Sequence, residues 1–559
     1  MQKNNKKLIK TAIILNELSA WKYKEKSGVK IWYAGSESFS QEVAGFLLNT
    51  NIVPKTLSDW LAKCNESYSI IAETKKEVVA FTDYCRSYPI FYSLQDNELL
   101  ISNDARKLKD NLKNTNVIAE SVFDCLALGY VTGSKTLYSN INQLNVCEYL
   151  LLSSDSTSPA VGKYYLYHDR RNKTEGSEAY FISRLADVID CSVQRLIKRA
   201  NNAQIVVPIS GGLDSRLVLA KLVEHGYKNL SAFSYGPNGN ADARIGKDVS
   251  AQLDVPWEFV SISAKETKSF YQSETRKEYS TFADGLNVIP NYQDLLPIYK
   301  LKKEGRLSVD TIIVNGQSGD FNSGGHIPES LMSHEATLNH LLLELMKKHY
   351  SLWGKLLTEN NTIKIHENIT KHLINAEKNS INNDLTSDDL ANLYERWEFE
   401  ERQTKYIVNG QRVYDYFSLN WQLPLWDGEF VRFWCDVPVE LRYKQKLYRK
   451  YLASWNYKAL FKEFNPTISA WSKKASFAIV PLSLLLRLTL GRERRDYLIK
   501  YFDYISRYGN HYHSFGLKTF AENIHEIKNP FSLYTMSWLC ELGLSSYVDE
   551  LGLDPLFDK

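Results

Sequence analysis

Residues 206–222 read VVPISGGLDSRLVLAKL, and this stretch decides how the chain is interpreted. It opens on apolar, β-branched residues typical of a buried strand, and it closes on a helical pattern that continues to Gly226. Between the two lies SGGLDS, a short run of glycine, hydroxyl and carboxylate residues. Ligands bind open α/β sheets where a strand ends and the next helix begins. We therefore expect a ligand site at this loop.

The SGGLDS loop has the composition of a phosphate-binding loop. Gly211 and Gly212 allow main-chain N–H groups to approach a ligand closely, and Ser210 and Ser215 add hydroxyl donors. The N-terminus of the following helix carries a partial positive charge that favours phosphate. Asp214 alone would repel phosphate, but it can ligate a Mg²⁺ that bridges the phosphates. The loop therefore predicts a site for a nucleotide with Mg²⁺.

The Walker A pattern of P-loop nucleotide-binding proteins is absent, so this loop belongs to another class. The alternative interpretation is a tight strand–helix turn in which glycine and serine only cap the helix. The full SGGLDS sequence directly after a hydrophobic strand favours the nucleotide loop. Asp242 and Arg244 follow in the next predicted helix, and we interpret them as a surface ion pair rather than as site residues.

Strand and helix patterns alternate after residue 176. QIVVPI, LSAFSYG, WEFVSIS and DTIIVNG predict strands, and the segments between them predict helices, so we expect a parallel sheet with helices on both faces. From about residue 385 the pattern becomes mostly helical. The first part of the chain is β-rich, with predicted strands at YSIIAE, EVVAFTDY, PIFYSL and ELLISN. We predict two domains, 1–165 and 176–559.

Bulk properties exclude several classes of function. The 559 residues carry a formal net charge of +3, which favours neither nucleic acid nor an acidic membrane as a partner. The seven cysteines are scattered and form no C-x-x-C pair, which argues against a zinc site. No apolar run approaches the length of a membrane span, and the N-terminus lacks a clear signal peptide. We expect a cytoplasmic protein.

Several separate segments resemble asparagine synthetases, which are N-type ATP pyrophosphatases. SGGLDS resembles their pyrophosphate loop, and FSYG, which ends at Gly236, resembles the strand whose backbone faces adenine. NGQSGDFNSGGH, from Asn315, is similar to the family's G-E-G-x-D-E-x-x-G-G-Y loop. LPLWDGEF matches R-x-P-F-L-D at Asp427, and KLYRKYL follows it. SKKASFAIVP resembles K-x-G-F-x-x-P at Lys474, and DYCRSYPIFY resembles a motif of the family's glutaminase domain.

The resemblance implies a fold and a site. The fold is an α+β sandwich of the Ntn-hydrolase type, followed by an α/β parallel-sheet domain of the adenine-nucleotide α-hydrolase (PP-loop) type with a helical C-terminal extension. Asp214 and Asp320 would hold Mg²⁺, Lys474 would offset phosphate charge, and Gln317 stands at the position of a catalytic acidic residue. The residues expected to bind ATP are Ile209, Ser210, Gly211, Gly212, Leu213, Asp214, Ser215, Tyr235, Asn315 and Gly316.

Three positions depart from the family pattern. The family's glutaminase uses a cysteine that follows the initiator methionine, whereas this chain has Gln2 there and its first cysteine is Cys64. We therefore interpret the first domain as a degenerate glutaminase retained for packing. Gln317 replaces an acidic residue, and Phe321 follows Asp320. A carboxylate that would help to deprotonate an incoming ammonium is missing, so the nitrogen source stays open.

The expected reaction is ATP-dependent amide synthesis through an acyl-adenylate. In the first version, ammonia, supplied free or by a separate glutaminase, amidates a carboxylate such as a uronic acid of a surface polysaccharide. In the second, an internal amine closes a lactam, as in β-lactam synthetases and lasso-peptide cyclases. In the third, the product is asparagine. A non-catalytic scaffold is the rival from another class, and the combination of Asp214, Asp320 and Lys474 argues against it.

Overall fold

The computed structural model describes residues 9–16, 20–168, 175–377, 385–461, 514–515, 519 and 522–555. The strands are β1 Lys10–Ile13, β2 Lys22–Lys26, β3 Val29–Gly35, β4 Tyr68–Glu73, β5 Glu77–Thr82, β6 Phe91–Gln95, β7 Glu98–Ser102, β8 Asn142–Gln143, β9 Glu148–Ser153, β10 Ala160–Lys163, β11 Ile205–Pro208, β12 Leu230–Gly236, β13 Trp257–Ser261, β14 Ile312–Val314 and β15 Asn420–Gln422.

The α-helices are α1 Glu37–Asn49, α2 Pro54–Leu61, α3 Ala105–Asn111, α4 Ala119–Leu128, α5 Glu178–Ala200, α6 Leu213–Glu224, α7 Ala241–Leu253, α8 Ala264–Tyr271, α9 Glu274–Ala283, α10 Leu295–Lys303, α11 Gly319–Asn322, α12 Leu338–His349, α13 Glu359–Glu377, α14 Ser387–Glu398, α15 Arg412–Tyr416, α16 Gly428–Asp436, α17 Val439–Arg442, α18 Lys446–Trp455, α19 Phe531–Glu541 and α20 Ser545–Glu550. A π-helical segment, Phe399–Ile407, joins α14 to the short 3₁₀ turn before α15. None of the helices within the described ranges is both long and apolar enough to cross a membrane.

A parallel sheet of five strands lies at the centre of the second half of the chain, in the order β13-β12-β11-β14-β15. The predicted parallel sheet is confirmed, and the four strands expected from the sequence form four of its five members. The fifth, β15, was not predicted. Its three residues, Asn-Trp-Gln, carry too short a pattern to signal a strand.

Both faces of this sheet are covered, because successive side chains of a strand point to opposite sides. Ile205 and Val207 of β11 pack in a cluster with α5, α6, α16 and α18. Val206, between them, packs on the other face with α9, α10 and residues of the first half of the chain. The alternation explains why β11 has apolar residues on both sides, as the parallel sheet requires.

The first part of the chain forms two sheets. One is a six-stranded antiparallel sheet, β10-β9-β5-β4-β3-β2, and the other is a mixed four-stranded sheet, β1-β7-β6-β8. Apolar side chains from both sheets meet in one cluster that includes Ile71, Leu99 and Leu150. The strands predicted from YSIIAE, EVVAFTDY, PIFYSL and ELLISN are all present, as β4 to β7. The division into domains at 165 and 176 stays a prediction.

The two parts of the chain share a core and buried polar contacts. Phe81 of β5 and Trp421 of β15 belong to one apolar cluster. Lys405, in the π-helical segment, is fully buried and donates to the carbonyl oxygens of Gly133 at 2.7 Å and Val131 at 3.1 Å. Its ammonium also contacts Glu401 Oε2 at 2.6 Å. Burial lowers the pKa of Lys405, and Glu401 opposes that shift.

Replacing Lys405 by methionine keeps most of the volume and removes the charge. Glu401 then lies buried without its cation, which costs about 3–5 kcal/mol of folding free energy. We expect a clear fall in the melting temperature of Lys405→Met. The matched control is Lys347→Met, because the Lys347 side chain is 79% exposed. Equal melting temperatures for the two variants would contradict the role assigned to Lys405.

Candidate active site

A cleft of about 700 Å³ opens at the carboxyl ends of β11, β12 and β14. This is the edge of a parallel sheet where ligands bind. Its walls come from five segments that are distant in the sequence: the loop after β11, the end of β12 with the start of α7, the residues before α10, the loop after β14, and the start of α18. The residues that line it are Pro208, Ile209, Ser210, Gly212, Leu213, Asp214, Ser215, Phe233, Ser234, Tyr235, Asn240, Ala241, Asp242, Gln293, Asp294, Asn315, Gly316, Gln317, Ser318, Asp320, Gln445 and Arg449.

The SGGLDS loop turns directly from β11 into α6. Ser210 N–H donates to Ser215 Oγ at 3.3 Å, and Gly212 N–H donates to Ser210 Oγ at 3.2 Å. Gly212 is the N-cap of α6 and has no side chain to cap it. The positive end of the helix therefore faces the cleft without a built-in anionic cap, which suits an anionic ligand.

Asp214 lies at the point where the two glycine-rich loops meet. Its Oδ1 accepts from the Tyr448 hydroxyl and its Oδ2 accepts from the main-chain N–H of Asp320, each at 2.9 Å. Burial, and then the negative charge of Asp320, raises the pKa of Asp214. Two carboxylates held this close disfavour the charged form of one of them, and a divalent cation between them would relieve that cost.

Asp320, whose side chain is exposed, is linked through His326 to the buried carboxylate of Glu398. His326 lies between it and Glu398, with Nε2 at 3.3 Å from Asp320 Oδ2 and Nδ1 at 2.7 Å from Glu398 Oε1. Although burial opposes it, the charge of Glu398 and the hydrogen bonds to both carboxylates raise the pKa of His326 to about 9. Burial alone would raise the pKa of Asp320, but the hydrogen bond and charge of His326 hold it below its usual value. Asp320 is therefore kept ionised.

Close contacts with the SGGLDS loop and its helix require glycine at two positions of the loop after β14. A Cβ at Gly316 would lie 2.5 Å from Ser215 N, and a Cβ at Gly319 would lie 2.6 Å from Asp214 Cγ. Contacts this short do not occur for real side chains, so the loops meet only because these positions lack one. The short distance between Asp214 and Asp320 depends on both glycines.

The deep wall of the cleft is a network of neutral amides. Gln317 Oε1 accepts from Gln411 Nε2 at 2.8 Å, and Gln411 Oε1 accepts from Asn315 Nδ2 at 3.1 Å. Asn315 also donates to the Tyr414 hydroxyl at 2.9 Å. Gln317 and Asn315 therefore lie close together, as the sequence led us to expect. The group that holds Gln317 is the uncharged amide of Gln411.

The network continues to a carboxyl group at the start of α10. Tyr414 and Tyr235 both donate to Asp294, each at 2.5 Å, one to each oxygen. Burial raises the pKa of Asp294, and the two phenols oppose that shift. Tyr235, which the sequence predicts as an ATP-binding residue, is thereby fixed at the edge of the cleft.

The π-helical segment packs against the loop after β14 on the side away from the cleft. Ser318 has a left-handed backbone, with φ of 65°, and its hydroxyl donates to Gln403 Oε1 at 2.9 Å. Gln403 Nε2 in turn donates to Glu398 Oε1 at 3.1 Å. π-Helical turns are rare and often occur at functional sites. Here Gln403 of the π-helical segment links Ser318, in the loop after β14, to the buried carboxylate of Glu398.

Comparison with known proteins agrees with this geometry. The family model described as asparagine synthase matches residues 184–500, which is more than half of the chain. The chain belongs to the asparagine synthase family. A search of curated proteins found no match.

Among solved structures, one similar chain is a glutamine phosphoribosylpyrophosphate (PRPP) amidotransferase from B. subtilis, complexed with ADP and GMP. The identity is 10%, and the match covers 53% of this chain and 63% of that one. The TM-score is 0.14, a value too low to carry an argument about fold or function.

Most of the residues that the sequence assigned to the asparagine synthase site lie in one cleft. Of the ten expected to bind ATP, nine line it; Gly211 lies beside it and donates its N–H to Asp242 Oδ1 at 3.1 Å. Asp242, which we interpreted as half of a surface ion pair, is exposed, lines the cleft and accepts this hydrogen bond from the loop. Lys474 lies outside the described residues. Asp427 is bound by Arg195 at 2.7 and 2.8 Å and does not line the cleft.

Several residues of the site were missed. Tyr448 and Arg449 belong to KLYRKYL, which the sequence analysis noted without assigning a role. His326 closes the NGQSGDFNSGGH loop, and the histidine beside the two glycines was an available signal. No pattern in the sequence marks Glu398 and Gln411 as parts of the site, because only the tertiary fold brings their helical segment against the loop after β14.

Gly316→Ala is expected to separate the two loops, because its methyl group meets the backbone of Ser215. Nucleotide binding should fall by at least about tenfold, since the phosphate site depends on loop placement. Isothermal titration with Mg²⁺·ATP measures this. Gly45→Ala in α1 is the control, as its Cβ meets nothing within 4 Å. Unchanged affinity in Gly316→Ala would show that the close approach of the loops does not matter.

Proposed function

We propose that this chain is an ATP-dependent amide synthetase. It adenylates a substrate carboxylate, releases pyrophosphate and then transfers nitrogen from ammonia to the activated carbonyl. Membership of the asparagine synthase family supports the reaction class. The observation that carries the proposal is the hydrogen bond from the main-chain N–H of Asp320 to Asp214, which places two acidic residues beside the SGGLDS loop. We assign an Ntn-hydrolase-like fold to the first part and a PP-loop fold to the second as parts of the same proposal.

In the first step a carboxylate oxygen of the substrate attacks the α-phosphorus of ATP. The bond from that phosphorus to the oxygen bridging to the β-phosphate breaks, and pyrophosphate leaves with the electron pair. The SGGLDS loop and the N-terminus of α6 hold the leaving group by main-chain N–H groups. Arg449, a cleft-lining cation that the sequence analysis did not assign, offsets part of its charge. Lys474, outside the described residues, is proposed for the same role.

The residues present fit a magnesium ion. Mg²⁺ is held in nucleotide enzymes by one or two carboxylates together with substrate phosphates and water. Asp214 and Asp320 supply two carboxylates, and within the described ranges no group of three or more His, Cys, Asp or Glu side chains is placed to hold a metal by itself. When bound, the ion would neutralise phosphate charge in the first step. Asp320 is ready to serve because His326 keeps it ionised.

In the second step an amine nitrogen attacks the acyl carbon. The carbon–oxygen bond to the phosphate breaks, AMP leaves with the electron pair, and the nitrogen loses a proton to water. Gln317 and its partner Gln411 are neutral amides, so they orient groups by hydrogen bonds and do not act as bases. The nucleophile therefore has to arrive uncharged, as free ammonia does in its minor neutral form.

Several features of the first part of the chain support its interpretation as a degenerate glutaminase. Cys64, Cys85, Cys125 and Cys147 are buried, and burial raises the pKa of each thiol, to about 12 for Cys64. The thiolate is the nucleophilic form, so none of the four is suited to attack glutamine. Arg86, in the glutaminase-like motif, is buried and donates to the Leu144 carbonyl at 2.9 Å. It is thus part of the packing. Ammonia then comes from solution or from a separate glutaminase.

A uronic acid of a surface polysaccharide is the acid that the resemblance favours, and a cytoplasmic location is part of that proposal. Closure of a lactam by an internal amine and synthesis of asparagine are the competing outcomes of a substrate screen. ATP–pyrophosphate exchange over aspartate, free and nucleotide-linked uronic acids and peptide carboxylates separates the acids. Product analysis with and without ammonium separates the external amine from the internal one.

Asp214→Ala is expected to reduce acid-dependent ATP–pyrophosphate exchange by at least about 100-fold, because it removes a carboxylate at the reacting phosphates. Asp248→Ala is the matched control, since Asp248 is exposed on α7 and away from the cleft. Exchange at the wild-type rate in Asp214→Ala would show that the site is assigned wrongly.

Ammonium, but not glutamine, is expected to support amide formation by the purified protein. The reason is the absence of a suitable thiolate among the cysteines of the first part that the structure describes. Coupled measurement of AMP release with each nitrogen donor tests this. Release of glutamate from glutamine at the rate of amide formation would contradict the degenerate-glutaminase interpretation.

A further inference from the structure

A second pocket lies directly beside the nucleotide cleft. Its volume is about 190 Å³, and it shares Tyr235 and Gln293 with the cleft as a common wall. It is bounded by the ends of β12 and β13, by α8, and by the C-terminal helix α19. A molecule that fills it therefore reaches the cleft past Tyr235.

Seven of the eighteen residues that line the pocket are aromatic. Tyr271 makes edge contacts with Tyr292 at 5.7 Å and with Tyr534 at 5.0 Å between ring centroids. Tyr406 and Phe531 form another edge pair at 5.1 Å. Aromatic pairs favour this geometry, and a further ring can add to it by edge or offset contact.

The hydroxyl groups of these tyrosines are already engaged. Tyr271 donates to Ser537 at 3.2 Å, Tyr534 donates to Ser514 at 2.7 Å, and Tyr292 shares a hydrogen bond with Ser280 at 3.0 Å. A sugar ring placed here would bury hydroxyl groups against ring faces, at a cost of about 1–3 kcal/mol for each one without a partner. The pocket is thus better suited to an apolar ring than to a sugar.

The charged residue of the pocket is also satisfied. Arg276 is 4% exposed, and its Nη1 lies 2.6 Å from Glu541 Oε2, while its Nε donates to the Tyr271 carbonyl. Its charge is balanced within the protein, so it does not call for an anionic ligand. The carboxylate of a substrate would then lie in the cleft, near the phosphate loop, and not in this pocket.

We propose that this pocket binds an aromatic ring of the substrate whose carboxyl group is adenylated in the cleft. The size agrees, since a cavity of about 150 Å³ lined by apolar side chains accommodates a benzene molecule. The assignment rests on the proposed function, and it names an aryl-bearing acid in place of a uronic acid. Tyr235 and Gln293 line the passage between the ring and the reacting carboxyl group.

The test uses 4-fluorophenylacetate as the probe and fluorine NMR line broadening as the measure of binding to the full chain. Thr267 lines the pocket from α8, so Thr267→Trp should fill it and weaken binding at least about tenfold. Thr281→Trp is the matched control. Thr281 is exposed on α9, and its hydroxyl donates to the carbonyl of Lys277 at 3.2 Å, just as that of Thr267 donates to the carbonyl of Ser263 at 3.2 Å.

Leu296→Trp fills the pocket from α10 and provides a second variant if Thr267→Trp does not fold. Binding to the wild type and to Thr281→Trp, with loss in a pocket-filling variant, supports the assignment. Equal binding in all variants, no binding of the probe, or displacement of the probe by galacturonate overturns it. ATP–pyrophosphate exchange is measured on the same proteins. If the probe binds in the pocket but does not support ATP–pyrophosphate exchange, the pocket assignment is supported. That result contradicts only the proposed adenylation.

Discussion

The main-chain N–H of Asp320 donates to Asp214 Oδ2, and this bond ties the loop after β14 to the first turn of α6. It brings two carboxylates together at the positive end of a helix. Electrostatics alone would drive the two carboxylates apart. Gly316 lets the two backbones touch, Gly319 leaves room for the Asp214 carboxylate, and His326 balances the charge of Asp320. The negative charge of Asp320 raises the pKa of Asp214, and a cation bound between the two carboxylates would offset that repulsion.

Neighbouring residues stabilise the contact between Asp320 and Asp214. The buried carboxylate of Glu398 contacts His326 on one side and Lys348, at 2.8 Å, on the other. The π-helical segment that follows Glu398 is fixed in turn by Lys405, which binds carbonyl groups of the first part of the chain. The second part of the chain therefore packs against the first through the same segment that supports the loop after β14.

The sequence predicted the parts of the site that depend on local pattern. SGGLDS after an apolar strand and the glycines near Asp320 indicated the loops, and the period of the apolar residues indicated four of the five parallel strands. Contacts between distant segments were out of reach. Nothing in the helix that carries Asp242 reveals that Gly211 lies against its carboxylate. Glu398 and Gln411 lie in a helical stretch whose position behind the loop is set by tertiary packing alone.

The cleft proposed to bind ATP and the pocket proposed to bind the aryl group of the acid share Tyr235 as a common wall. The most direct test of the central claim is a crystal structure with Mg²⁺ and a non-hydrolysable ATP analogue. The β- and γ-phosphates are expected on the SGGLDS loop, with the metal bound by Asp214 and Asp320. Phosphates bound away from this loop, or a metal that contacts neither carboxylate, would contradict the assignment of the cleft as the adenylation site.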